Sequence, residues 1–237
     1  MNVTRSKQLK QFQKIINYNF NNIKLIDVAL THSSYANEIK HRIVSYNERL
    51  EFLGDSVLSL VVSDYIFHQY KHLPEGELTK VRANVVCEPS LASKAKMIEL
   101  GEHLLLGKGE DNTGGRYRDS ILADAFEAVI GGIYLDGGFQ EASKFILNNM
   151  IDLIELAVEG KLIIDYKTHL QELIQSKSTE KIAYRVVKES GPDHDKTFNI
   201  EIIFSNTILG AGQGKSKKEA EQNAAKEAIL KESYKDV

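Results

Sequence analysis

Only one cysteine, Cys87, occurs in the 237 residues. No intrachain disulfide can form, a cysteine-rich zinc site is excluded, and a reducing compartment is the natural setting. Proline is nearly as scarce, at 3 residues, while 42% of the chain is hydrophobic. That balance excludes a disordered chain and permits a real core in one large or two modest domains. No run approaches the roughly 20 apolar residues that span a bilayer. The leading Met1-Asn2-Val3-Thr4-Arg5-Ser6-Lys7 opens no apolar core of signal-peptide length. A soluble cytoplasmic protein without a membrane partner is the expectation. A strong excess of one charge is also missing. The net charge of -3 argues superficially against a nucleic-acid partner, because phosphate neutralisation normally requires basic surface. Distribution matters more than the sum. Residues 164–237 hold 12 basic and 12 acidic side chains and residues 1–163 hold 18 and 21, so the acidic excess lies in the first part.

What the first part does contain is carboxylates at helical spacing. In Asn47-Glu48-Arg49-Leu50-Glu51-Phe52-Leu53-Gly54-Asp55-Ser56-Val57-Leu58, at about 100° per residue, Glu48, Glu51 and Asp55 fall on one stripe opposite Leu50, Leu53, Val57 and Val61. Like charges one turn apart cost a helix a few tenths of a kcal/mol each, so the stripe needs either open solvent or a cation. On these three residues alone a solvated face is the simpler reading. A second acidic pair, Asp124 and Glu127, shares a helical face with Ala128 and Gly131, small residues that let another helix approach closely. Together the two segments weigh solvent and cation about evenly. Oxygen ligands from two helices suit a hard divalent cation such as magnesium, and the chemistry this suggests is metal-assisted phosphodiester hydrolysis.

The helical pattern extends over the whole first part, with helices expected near Lys7–Ile16, Lys24–Thr31, Tyr46–Tyr70, Leu78–Cys87, Pro89–Ile98, Asp119–Leu135 and Phe139–Ala157. Residues 107–116, rich in glycine and turn formers, read as a flexible loop with Arg116 and Arg118 as candidate contacts to a nucleic-acid backbone. After residue 165 the period changes. A short helix, Thr168 to Gln175, precedes strands at Lys181–Glu189, around Phe198–Phe204 and at Thr207–Gly212, the last two joined by a tight turn at Ser205-Asn206. A final helix from Lys217 to about Glu232 carries Ala220, Ala224, Ala225 and Ala228 on one face, suited to lying on a sheet. Lys215, Lys217 and Lys218 crowd the start of that helix, where the macrodipole is already positive, and a phosphate would resolve the conflict. A solvated helix end that tolerates its lysines remains the plain alternative.

These residues carry a family resemblance. The segment from Asn47 to Ser56 resembles the signature of ribonuclease III, and Leu122-Ala123-Asp124-Ala125-Phe126-Glu127-Ala128 resembles its second acidic block. Leu30-Thr31-His32-Ser33-Ser34-Tyr35 and Glu75-Gly76-Glu77-Leu78-Thr79 match two further blocks in the expected order. The resemblance implies that Glu51, Asp55, Asp124 and Glu127 bind Mg2+, for which Mn2+ can substitute, with Asp55 and Glu127 catalytic. It implies an assisting role for the acidic Glu48 and Glu75, and for Phe52 a contact with the partner subunit of a homodimer. Lys167-Thr168-His169-Leu170-Gln171-Glu172, Gly191-Pro192-Asp193-His194 and Gly214-Lys215-Ser216-Lys217-Lys218-Glu219-Ala220 resemble the double-stranded RNA-binding domain. By that likeness Thr168, Gln171, Glu172, His194, Lys215, Lys217 and Lys218 would meet RNA, reading A-form shape and 2′-hydroxyls over about 16 base pairs.

The expected fold is an all-α endonuclease domain, residues 1–157, then a linker, 158–164, then a small α+β domain of order α-β-β-β-α, residues 165–237. The implied activity is metal-dependent cleavage of double-stranded RNA to 5′-phosphate and 3′-hydroxyl ends with short 3′ overhangs, in the processing of ribosomal, messenger and transfer RNA precursors. A non-catalytic duplex-RNA binder is the alternative, and the complete set of four carboxylates weighs against it.

Overall fold

A computed structural model of the chain describes residues 3–39, 41, 43–162, 166–176, 178, 180–192 and 196–234. It divides into two compact units, Met1–Leu162 and Ile163–Val237. Residues 163 and 164 of the expected linker lie outside the described residues.

The first unit is helical: α1 (Val3–Ile15), α2 (Ile23–Ala29), α3 (Ser33–Glu38), α4 (Glu48–Gln69), α5 (Glu75–Val85), α6 (Glu88–Met97), α7 (Lys108–Asn112) and α8 (Asp119–Val158). Its center is the pairing of α4 with α8. Between Ile121 and Ile133 α8 is buried on nearly every side, as a helix enclosed by others must be, and its apolar residues run without the polar face that α4 keeps. Phe12, Ile26, Leu58, Ile66, Leu91 and Phe126 are fully or almost fully buried around this pair. Gly138 breaks α8 in two at φ 80°, ψ -176°, a left-handed conformation that a residue with a Cβ adopts only under strain, and this separates the expected helices at 119–135 and 139–157. Among the described residues of this unit the only β pairing is a lone parallel bridge between Thr31 and Leu105.

Helix α7 occupies a stretch that the sequence presents as open loop. Two arginines close it. Arg116 Nη1 donates to Gly101 O at 2.6 Å and Leu104 O at 3.0 Å, and Nη2 pairs with Asp111 at 3.0 Å. Arg118 pairs with Glu110 at 2.5 Å. Arg116 and Arg118 thus close this segment from within, and the Arg118 side chain stays partly exposed as it does so.

The second unit is α9 (Tyr166–Gln175), β1 (Ala183–Ser190), β2 (Thr197–Phe204), β3 (Thr207–Gly214) and α10 (Lys217–Leu230). The strands form one antiparallel sheet in the order β1-β2-β3. Ile200, Ile202 and Phe204 point inward from alternate positions of β2. Ser205 (φ 47°) and Asn206 (φ 65°) supply the two positive φ values of the tight hairpin turn between β2 and β3. Ala220, Ala224, Ala225 and Ala228 are completely buried under α10. A Cβ at Gly212 would collide with the backbone of Ala220 and Ala224, so glycine in β3 and alanine in α10 together set how closely helix and sheet approach. Among the described residues no helix is long and apolar enough to cross a membrane.

Candidate active site

The carboxylates meet because two glycines allow it. A Cβ on Gly54 would run into the carbonyl of Glu127, and one on Gly131 into the carbonyl of Leu50, so α4 and α8 touch backbone to backbone. Gly54 lies between Glu51 and Asp55, and Gly131 lies one turn beyond Glu127. The start of α4 is fixed by its own backbone: Asn47 O accepts from Leu50 N at 2.8 Å and Glu51 N at 2.9 Å, while Asn47 N donates to Thr31 O at 2.9 Å.

At this crossing one carboxylate oxygen from each of Glu51, Asp124 and Glu127 lies within 4.8 Å of the other two. All three side chains are half-buried. Asp55 is exposed and stands outside this triplet, next to Glu127, whose ionisation it opposes. Glu48 is exposed too and acts on both Glu51 and Asp124. Burial, then the charges of Asp55, Glu51 and Asp124, push the Glu127 carboxyl up to about 8. Burial also raises Glu51, helped by Asp124, Glu48 and Asp55. Asp124 is raised by burial and by Glu88, with His32 pulling the other way. Among the described residues no lysine or arginine pairs with any of the four. A half-buried group of carboxyls whose ionisation burial and mutual repulsion oppose, with no cation of the protein's own and only hard oxygen donors at ligand spacing, fits a divalent metal ion.

Other expected positions lie elsewhere. Glu75 begins α5, accepts from Thr79 Oγ1 at 2.9 Å, and borders a groove with Leu60, Asp64, Phe67 and His68 of α4 rather than joining the triplet. Phe52 turns outward from α4, 77% exposed, and shares that face with Leu60 (57%) and Phe67 (65%). In the second unit Thr168, Gln171 and Glu172 are exposed on α9. Lys215, Lys217 and Lys218 are exposed at the start of α10, where Ser216 caps the Glu219 N–H at 3.1 Å and the Glu219 carboxylate reaches back to Lys215 N at 2.7 Å. Lys217 rests against Glu189 at 3.2 Å and over the Phe198 ring. His194 lies outside the described residues.

Comparison with known proteins fits this architecture. Residues 22–154 match the Ribonuclease-III-like family, and residues 166–232 match the double-stranded RNA binding motif. The Ribonuclease 3 of Clostridium tetani is 54% identical over 221 residues, which cover 93% of each chain. That of Caldanaerobacter subterraneus subsp. tengcongensis is 53% identical, over 94% of this chain and 97% of its own. This chain belongs to the ribonuclease III family. The solved nuclease domain of ribonuclease III from Campylobacter jejuni superposes with a TM-score of 0.56 at 42% identity, covering 62% of this chain and 96% of that one.

Two neighbours of the ribonuclease III carboxylates escape a reading by helical spacing. Glu88 begins α6 and His32 precedes α3, yet both act on Asp124. Each comes from a segment with no sequence periodicity in common with α4 or α8. His32 lies in a block already matched by resemblance, and Glu88 directly precedes the helix expected at Pro89–Ile98, but neither signal tied the residue to Asp124.

Proposed function

We propose that Glu51, Asp55, Asp124 and Glu127 hold the divalent cation, Mg2+ or in its place Mn2+, with which this ribonuclease III cuts double-stranded RNA. The observation that carries the proposal is the triplet of carboxylate oxygens within 4.8 Å that no protein cation neutralises. A bound ion supplies a water of lowered pKa and stabilises charge on the phosphoryl and leaving oxygens. The chain's own work is positional. Glu51, Asp124 and Glu127 offer an oxygen each from two helices held rigid by their glycine contact. Asp55 and Glu127 are the catalytic pair at the reacting phosphate, with Asp55 on the solvent side where a strand of RNA can reach it. Glu48 and Glu75 assist from the margins, Glu48 by its charge on Glu51 and Asp124.

The second unit holds the duplex. Thr168, Gln171 and Glu172 of α9 meet one minor groove, His194 meets the next, and Lys215, Lys217 and Lys218 take the phosphates between them. The exposed apolar face of Phe52, Leu60 and Phe67 supports a homodimer, so that two centers cut the two strands, leaving 5′-phosphate and 3′-hydroxyl ends with short 3′ overhangs. Structured ribosomal, messenger and transfer RNA precursors in the cytoplasm are the substrates proposed.

Glu127→Gln tests this reading, since it keeps shape and removes one charged donor. Cleavage of a long RNA duplex in Mg2+ should fall at least a hundredfold while duplex binding in chelator stays within about twofold. Unchanged turnover at saturating Mg2+ would remove Glu127 from the center, and wild-type cleavage that persists in chelator would remove the metal.

A further inference from the structure

Residues 1–26 hold five basic side chains and no acidic one, whereas residues 27–163 hold 13 basic and 21 acidic. The acidic first unit therefore has a basic end. Helix α1 carries most of that charge, and it lies ahead of the stretch that matches the Ribonuclease-III-like family, which begins at residue 22. Its inner face is packed. Leu9 and Phe12 are completely buried, and Arg5 is fastened to Asp27 at 2.8 Å and to the His103 carbonyl at 2.6 Å. Arg5 also reaches Leu30 O at 3.4 Å, next to the Thr31 whose carbonyl takes the Asn47 N–H, so α1 is tied to the foot of α4. Lys7, Lys10 and Lys14 are exposed on the outer face, and at about 100° per residue they fall within about 60° of one another.

Like charges one turn apart destabilise a helix, and here nothing in the fold relieves them. Among the described residues none of the three lysines pairs with an acid, although Lys94, Lys96 and Lys161 of the same unit do. The acids of the elements packed against α1 are engaged elsewhere. Asp27 of α2 holds Arg5, and Glu102, in the 3-10 turn Leu100–His103, accepts from the Tyr117 hydroxyl at 2.8 Å. At a rise of 1.5 Å per residue the three ammonium groups are spread over about 10 Å of helix, a row that suits a row of phosphates. None of the exposed residues of α1 is aromatic, so the stripe offers bases nothing to stack on.

We propose that Lys7, Lys10 and Lys14 form a phosphate-contact stripe with which the first unit itself grips the backbone of a long RNA duplex, apart from the carboxylate center and apart from the second unit. Contact with phosphates alone makes the grip independent of sequence, and counterions released from the backbone drive it. The stripe also answers a difficulty of the acidic unit. Residues 27–163 repel a polyanion as a whole, and a basic end on the same rigid body draws it back. This rests on double-stranded RNA being what the first unit cuts.

The test uses the full chain in chelator with two RNA duplexes, one of about 16 base pairs, which the second unit spans alone, and one of about 50. Glutamine removes the charge and keeps the helix propensity, and melting curves confirm that each variant is folded. Lys7→Gln with Lys10→Gln and Lys14→Gln should bind the long duplex about tenfold more weakly near ~0.1 M salt and reduce the slope of log K against log salt by about two to three units. The short duplex should stay within about twofold of wild type. In Mg2+ the KM for the long duplex should rise in parallel, with kcat unchanged. Taking the same charge from the exposed Lys96, Lys144 and Lys161 should leave the slope as it is. An unchanged slope in the α1 variant, or an equal loss in the control variant or with the short duplex, overturns the proposal and leaves the stripe a solvated face. Wild type that fails to hold the long duplex at all would sink instead the RNA reading underneath.

Discussion

Burial and its acidic neighbours weigh on Glu127, and that burden has a sign. Its carboxyl sits at about 8 in the folded chain against an ordinary value of 4.5. Between those two pH values the folded state holds a proton that the unfolded state has released, so stability falls as pH rises through the window. Glu51 and Asp124, both raised, push the same way. In chelator the melting temperature should therefore drop between about pH 5 and pH 8, and Mg2+ should restore it by binding the ionised form. Glu127→Gln, which cannot ionise, should melt a few degrees above wild type in chelator at pH 8 while being inactive. A wild-type melting temperature that stays flat or rises across that range would show that the three carboxylates are not crowded as described. At this scale the i, i+3 and i, i+4 spacing made the acidic stripes legible in the sequence. It could not show that Asp55 stands apart from the triplet, nor that Glu88 and His32 join its surroundings, since those relations exist only once distant segments pack.

Secondary-structure elements were legible where their periodicity was strong and illegible where side chains overrode composition. Helix α4, the two halves of α8, the inward alternation of β2 and the alanine face of α10 follow from spacing alone. Helix α7 does not, because its glycine-rich segment is closed by the ion pairs of Arg116 and Arg118 rather than by propensity. The glycines at the α4/α8 crossing matter most here, and they set a test at the same scale. Gly54→Ala forces a methyl group against the Glu127 carbonyl, and backbone cannot rotate away as a side chain can. Overpacking of this kind costs about 1–3 kcal/mol or more. The melting temperature should fall, and cleavage should fall further than partial unfolding explains, because separating the helices spreads the triplet; a variant with unaltered Mg2+ dependence would show that the crossing does not set the ligand spacing. Helix α10 offers a second test. Lys217→Ala with Lys218→Ala should weaken duplex binding and reduce the slope of log K against log salt by about one unit for each phosphate left without its ammonium group. An unchanged slope would mean that these two lysines never reach phosphate. The Lys217–Glu189 pair, both side chains largely exposed, is too weak to hold the lysine back.

For the whole molecule, charge and apolar surface divide the work between the two units. The acidic excess of residues 1–163 is concentrated where a cation is needed, and the electrically balanced remainder gathers three lysines at one helix start. This division could be read from the sequence by counting each part separately. The outer face of α4 could not, because Phe52, Leu60 and Phe67 look like core residues until the fold turns them to solvent, 77%, 57% and 65% exposed on one side of a helix whose other side is fully packed. Three large apolar groups aligned on a rigid helix favour burial against a second copy, and a self-complementary contact about a two-fold axis is the commonest way to achieve it. Wild type should then run at twice its 26.7 kDa mass in light scattering at micromolar concentration. Phe52→Asp with Leu60→Asp should run as a monomer, since burying two carboxylates in that contact costs more than it can return. The variant should keep its duplex binding through the second unit and lose paired cleavage of both strands, releasing nicked rather than fully cut RNA if it cuts at all. A wild-type chain that scatters as a single 26.7 kDa species at these concentrations would leave the apolar face of α4 without the partner argued for it.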